Sequence, residues 1–142
     1  MLKKIPRVIS PDMMKHLMEM GHGDEVAIVD GNFPAHSFGK PVVRADGLGV
    51  PEILKAVLEF LPLDTFVDEN VFFMDNEEEE KPPIWETFKD ILKESGEDYR
   101  IKPLKRFEFY DRVKKSSFII ATSETALYAC IILKKGVVVE EG

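Results

Sequence analysis

The sequence is short of several things, and each shortage closes off a class of function. Its 142 residues hold one cysteine, Cys130, so an internal disulfide and any paired-cysteine zinc or redox motif are excluded. A chain without disulfides suits a reducing compartment, and a cytoplasmic location is expected. No apolar run approaches the ~18 residues that a membrane span needs, and Met1-Leu2-Lys3-Lys4 leads into no stretch of signal-peptide length. Cations are also scarce, with 19 Lys plus Arg against 26 Asp plus Glu, a formal net charge of −7. That sign opposes polyanions, and the late basic pairs Lys114-Lys115 and Lys134-Lys135 are too small to form a patch. Neither nucleic acid nor a membrane is an expected partner; a neutral, polar small molecule is. Strong catalytic motifs are missing as well. There is no Gly-rich phosphate loop and no dinucleotide fingerprint, and the three histidines at 16, 22 and 36 are poorly grouped for a metal. No serine sits on a nucleophile elbow, although a dispersed Ser-His-Asp triad stays open.

What is present reads as one domain over residues 1–142, with 44% hydrophobic and 32% charged residues, a globular balance. Ser10-Pro11 starts a helix whose apolar stripe is Met13, Met14, Leu17 and Met18, stopped by Gly21. His16 falls on the polar side of that helix and is expected at the surface. Val26 to Val29 reads as a buried strand ending at Asp30, followed by a Gly- and Pro-punctuated loop over residues 31–39. A short strand at Val42-Val43 turns through Arg44-Ala45-Asp46-Gly47. Pro51 opens a helix carrying Ile53, Leu54, Val57, Leu58 and Leu61, and Val71 to Met74 is a further strand. The acidic run Glu77 to Glu80 is expected to stay solvated because its charges repel. A helix follows with Ile84, Trp85, Phe88, Ile91 and Leu92 inward, closed by Gly96. Phe107 to Lys115 reads as a helix, and Phe118 to Ala121 and Ile131 to Leu133 as the last strands. Alternating strands and helices predict an α/β fold of three layers, α/β/α, with helices on both faces of one sheet.

Polar groups gather at the ends of the apolar runs, where an α/β sheet presents its ligand. His22 sits between Gly21 and Gly23, Asp30 ends the first strand, Asp64 follows Pro62-Leu63, and Arg106, Tyr110 and Tyr128 flank the last strands. At these residues the chain resembles a known family. Met20-Gly21-His22-Gly23-Asp24-Glu25, Asn32-Phe33-Pro34-Ala35, Arg44-Ala45-Asp46-Gly47-Leu48 and Leu61-Pro62-Leu63-Asp64 resemble the ribose pyranase and fucose mutarotase family. So do Arg106-Phe107-Glu108-Phe109-Tyr110 and the stretch from Tyr128 through Ile131-Ile132-Leu133-Lys134-Lys135-Gly136-Val137. The Arg-Ala-Asp-Gly and Arg-Phe-Glu-Phe-Tyr segments favour the fucose branch.

The resemblance implies a cofactor-free isomerase that interconverts anomers of free L-fucose. His22 would donate the proton, and Asp30, Asp64, Tyr110 and Tyr128 would contact sugar hydroxyls. Tyr110 would also share in proton transfer, with Arg106 beside it. One position departs: the family usually shows Tyr-x-Asn where this chain has Tyr128-Ala129-Cys130, so a contact at position 130 would be altered. The resemblance also implies a ring-shaped homo-oligomer, often a decamer, with sites completed by a neighbouring subunit. The residue types suit the chemistry. Opening a cyclic hemiacetal delivers a proton to the ring oxygen and removes one from the anomeric hydroxyl, and an imidazole titrating near neutrality serves either step. Two rivals remain at this stage: a ribose pyranase, and a non-catalytic sugar-binding module that would have no need of His22 as an acid.

Overall fold

The computed structural model describes residues 1–140; the last two residues of the expected domain lie outside them. Six strands form one sheet: β1 (Glu25–Val29), β2 (Val42–Ala45), β3 (Val71–Met74), β4 (Ile101–Leu104), β5 (Phe118–Thr122) and β6 (Ile131–Lys134). Their spatial order is β2-β5-β1-β6-β3-β4. β6 runs antiparallel to both β1 and β3, whereas β1 and β2 run parallel to β5, and β3 parallel to β4. Five strands therefore point one way and β6 alone the other.

Alternation along the strands divides the core between the two faces. Val26, Ile28, Phe73, Ile120 and Leu133 meet three helices: α1 (Pro11–Glu19), α2 (Val50–Val57) and α3 (Ile84–Ser95). Ala27, Val29, Phe72, Ile119 and Ile132 face α4 (Arg106–Val113) and the 3-10 turn Ala35–Phe38. The expected three-layer α/β/α arrangement is what forms. Strands buried on both faces read as continuous apolar runs, and β1, β3 and β5 do.

Several details differ from expectation. β4 was not legible, because Pro103 and Lys102 break its apolar pattern; it lies at the sheet edge, where a missing N–H costs no ladder bond. Arg44 and Ala45 belong to β2 and not to the turn after it. Leu61 lies past the end of α2 yet is buried in the connection. Met18 is exposed, so the α1 stripe runs through Met13 and Leu17 with Met14 partly covered. His16 is not a free surface group: its ring packs 5.0 Å from Phe118, and Nδ1 donates to the Asp12 carbonyl at 2.9 Å. Trp85 is core, as expected. No helix among the described residues is long and apolar enough to cross a membrane.

Candidate functional site

The direction of β6 decides how the candidate residues are shared out. The segments after β1, β2, β3, β4 and β5, and the one before β6, all emerge at the same end of the sheet. Asp30, Arg106, Tyr110, Tyr128 and Cys130 belong to this carboxyl end, where open α/β sheets bind ligands. The segments before β1 and β3 and after β6 emerge at the opposite end, and they carry His22 and Asp64.

At the carboxyl end, Asp30 is buried, and its two oxygens are held differently. Oδ1 accepts the Asn32 N–H at 3.0 Å, while Oδ2 accepts the Ala129 N–H at 3.2 Å and the Cys130 thiol at 3.4 Å. Burial, helped by the charge of Asp30, pushes the Cys130 thiol well above its ordinary value, so it stays protonated and donates. Arg106 and Tyr110 lie four residues apart on α4 and hence on one face; Arg106 Nε donates to the Tyr110 hydroxyl at 3.1 Å. That contact raises the Arg106 guanidinium above its ordinary value. The Tyr110 ring is wedged edge-on against Phe33 at 5.2 Å and Phe38 at 5.6 Å, which ties the 31–39 loop to α4. Tyr128 takes a left-handed backbone conformation with φ of 55°.

These five expected residues share one open cleft of about 270 Å³. Asn32, Phe33, Met74 and Leu127 complete its wall. The volume falls just under the ~300 Å³ at which small-molecule pockets usually begin. A larger groove of about 400 Å³ along the N-terminal segment is walled by Met1, Leu2, Ile5 and Met14 and offers no carboxylate or imidazole.

At the opposite end, His22 Nε2 lies 3.0 Å from Asp64 Oδ1. Asp64 is nearly sealed, at 2% exposure, whereas the His22 side chain is 46% exposed. Burial opposes the charge on Asp64, but hydrogen bonds from His22 and from the Phe66 N–H outweigh it, and the carboxyl is held below its usual range. The segment is pinned from behind: Asn70, fully buried, donates to the Asp64 carbonyl at 3.0 Å, and the Asp64 N–H donates to Lys134 at 3.0 Å. The turn carrying His22 is fixed by the Gly23 N–H to Lys135 bond at 2.8 Å, with Gly23 at φ +88°. Phe66, 74% exposed, lies 5.4 Å from the His22 ring. With Asp64 on Nε2, Nδ1 is the ring nitrogen without a hydrogen-bond partner among the described residues.

Five of the seven expected site residues thus meet in one cleft, and the other two form a dyad elsewhere. At about 3.3 Å per residue, the length of β1 keeps His22 upwards of about 15 Å from Asp30 in one chain. Sequence reasoning missed the roles of Asn32, Phe33, Leu127 and Asn70. The first two follow Asp30 with only Gly31 between and Leu127 precedes Tyr128, so proximity to an expected ligand was the available signal; for Asn70 there was none. Among the described residues, no group of three or more His, Cys, Asp or Glu is placed to hold a metal ion.

Comparison with known proteins bears on this arrangement. Residues 3–138 match the model of the RbsD / FucU transport protein family. The chain is 47% identical to a fucose mutarotase of Danio rerio over a 148-residue alignment, covering 99% of this chain and 96% of the relative. It is 44% identical to a human fucose mutarotase, covering 96% and 94% of the two chains. Among solved structures, a fucose mutarotase from Streptococcus pneumoniae in complex with L-fucose is similar at a TM-score of 0.92 and 48% identity. That match covers 97% of this chain and all of the other.

Proposed function

The chain belongs to the RbsD / FucU transport protein family, and from that premise we propose that it interconverts the α and β anomers of free L-fucose. It is an isomerase acting by ring opening and reclosure. The observation that carries this is the likeness to fucose mutarotases over nearly the whole chain, at just under half identity and in the same fold, one of them solved with L-fucose.

The geometry supplies the chemistry. His22, braced by Asp64 through Nε2, presents Nδ1 to the sugar as the proton-transferring atom. A proton reaches the ring oxygen, the anomeric hydroxyl loses one, and the bond from C1 to the ring oxygen breaks to leave an aldehyde. Rotation about C1–C2 turns the other face of the carbonyl toward the same hydroxyl, and the reverse transfers close the ring. The steps are proton transfers and the breaking and re-forming of one C–O bond, with no change of oxidation state, so no redox or group-transfer cofactor is called for. Asp30 is an acceptor for sugar hydroxyls. The Tyr110 oxygen already accepts from Arg106, which leaves its O–H to donate to substrate and to share in proton transfer. Tyr128 adds a further hydroxyl contact. Asp64 is a positioning residue for His22, and Cys130 acts on the sugar through Asp30. Phe33, Met74 and Leu127 give the cleft an apolar side beside these polar groups. That combination suits a 6-deoxy sugar, whose methyl group gains by leaving water, better than it suits ribose.

The two half-sites require a second copy of the chain. In a ring of identical subunits joined head to tail, the His22–Asp64 dyad of one subunit faces the Asp30 cleft of its neighbour, and a decamer is the assembly proposed. Exposed Phe66 beside the dyad and exposed Phe107 and Leu127 beside the cleft supply apolar surface for such a contact. A cytoplasmic location fits a substrate taken as the free sugar.

Saturation-transfer NMR on L-fucose, D-ribose and L-galactose tests the activity. Faster α–β exchange of L-fucose than of either other sugar is expected, without added metal or nucleotide. Acceleration confined to the ribose pyranose–furanose step would select a pyranase, and binding without acceleration a sugar-binding module.

A further inference from the structure

Glu124 lies outside the cleft, yet three parts of the carboxyl end converge on it. Its side chain accepts three backbone N–H groups: Val50 at the start of α2 on Oε1 at 3.2 Å, then Thr125 at 3.0 Å and Ala126 at 3.1 Å on Oε2. Its carbonyl accepts the Gly31 N–H at 2.9 Å, immediately after Asp30. Its own N–H donates to Thr122 Oγ1 at 3.2 Å, and that hydroxyl donates to the Val29 carbonyl at 2.8 Å. The fit against Glu124 is close at two glycines. A Cβ at Gly49 would come within 2.8 Å of Oε1, and one at Gly31 within 3.2 Å of the Glu124 carbonyl oxygen.

These bonds close a circuit around the cleft. From Asp30 the path passes through Gly31 to the Glu124 carbonyl, then along the chain through Thr125 and Ala126, both clamped by the carboxylate, to Leu127 and Tyr128. It returns to Asp30 through the Ala129 N–H. Tyr128 stands in this circuit at positive φ, a conformation that costs a non-glycine residue energy and persists where its surroundings impose it. We propose that Glu124 is a positioning residue for the substrate cleft: its carboxylate shapes the 125–128 turn so that Tyr128 and Leu127 face the sugar and the Ala129 N–H reaches Asp30. The proposal rests on the reading of the cleft as the L-fucose site.

The test uses Glu124→Ala and Glu124→Gln in the full chain, with wild type alongside. A role confined to folding lowers the amount of active protein and so the apparent kcat, leaving KM alone. A positioning role on the sugar-contacting side weakens binding of ground and transition states together and raises KM. The KM for L-fucose is expected to rise about tenfold or more in Glu124→Ala, since small misplacements can cost up to ~100-fold. Glu124→Gln, which keeps one acceptor oxygen, should rise by less, about threefold; it decides the question if the alanine variant does not fold. Wild-type KM in a folded variant, whatever its melting temperature, overturns the proposal. Amide hydrogen exchange gives a readout independent of turnover. The Ala129 N–H should exchange at least about tenfold faster in the variants while that of Ile28, in the sheet, is unchanged. Uniform acceleration or none would overturn the assignment. If wild type itself fails to exchange L-fucose anomers, the activity falls and the amide measurement still decides whether Glu124 shapes the turn.

Discussion

In the proposed mechanism His22 works through one ring nitrogen because Asp64 occupies the other, and this separates the two residues experimentally. Replacing His22 with Gln removes the acid–base group, which typically contributes about 10²–10⁴-fold; exchange should collapse by that factor with sugar affinity nearly unchanged. Asp64→Asn keeps the shape but no longer fixes the imidazole, and a loss of about 10²-fold is expected in kcat. Single-turnover exchange by NMR with affinity by calorimetry checks both, and an Asp64→Asn variant weakened only in affinity would return Asp64 to the role of sugar ligand. Cys130 makes a different case. It is 1% exposed and its thiol points at Asp30, so an effect on the sugar has to pass through that carboxylate. Cys130→Ser keeps a donor and should change affinity little, whereas Cys130→Ala leaves Asp30 one donor short. The expected cost is about 0.5–1.5 kcal/mol, roughly two- to tenfold in fucose affinity; equal affinities for the two variants would contradict it. The departure at position 130 was visible in the sequence. Its partner was not, because Asp30 and Cys130 are separated by the whole of the chain between β1 and β6, and only the sheet order brings them together.

Among the elements, those with an unbroken apolar run were legible, and those built from mixed residues were not. β1, β3 and β5 announce themselves, while β4 hides Pro103 at an edge and the 3-10 turn Ala35–Phe38 lies inside what reads as loop. The acidic segment after β3 is exposed from Glu77 to Lys81, as repulsion among its charges predicts. Its first residue is anchored all the same. Burial disfavours charge on Asp75, but hydrogen bonds from Lys81 and from the Glu77 N–H prevail and hold its carboxyl below the usual range. Asp64 is depressed in the same sense. A carboxyl that ionises more readily in the folded chain stabilises it at pH above the unfolded value, near 3.9. That stabilisation is lost as pH falls through the lowered folded value. The melting temperature should therefore hold between about pH 7 and 5 and fall below about pH 4. In Asp75→Asn the acid-side drop should be shallower than in wild type, as thermal unfolding across that range would show; an identical drop would remove Asp75 from the explanation.

At the scale of the whole molecule, the seven expected site residues divide between the two ends of the sheet in a single subunit, and the family resemblance already implies sites completed by a neighbour. The evidence was in the order of the chain: His22 precedes β1 and Asp30 follows it, so the same five-residue strand that buries the core also holds the two apart. What could not be read was that β6 alone is reversed, which puts Tyr128 and Cys130 with Asp30 and leaves the Lys134 end to the dyad. The central claim is that catalysis needs a dyad from one copy and a cleft from another, and a mixture of two inactive variants tests it most directly. His22→Gln retains the cleft, and Asp30→Asn retains the dyad. Co-assembled at equal amounts in a head-to-tail ring, the two variants pair an intact dyad with an intact cleft at about one interface in four. The mixture should recover about a quarter of wild-type L-fucose exchange by NMR, far above the sum of the separate variants. Activity no greater than that sum, in co-assembled rings, would contradict a site shared between subunits.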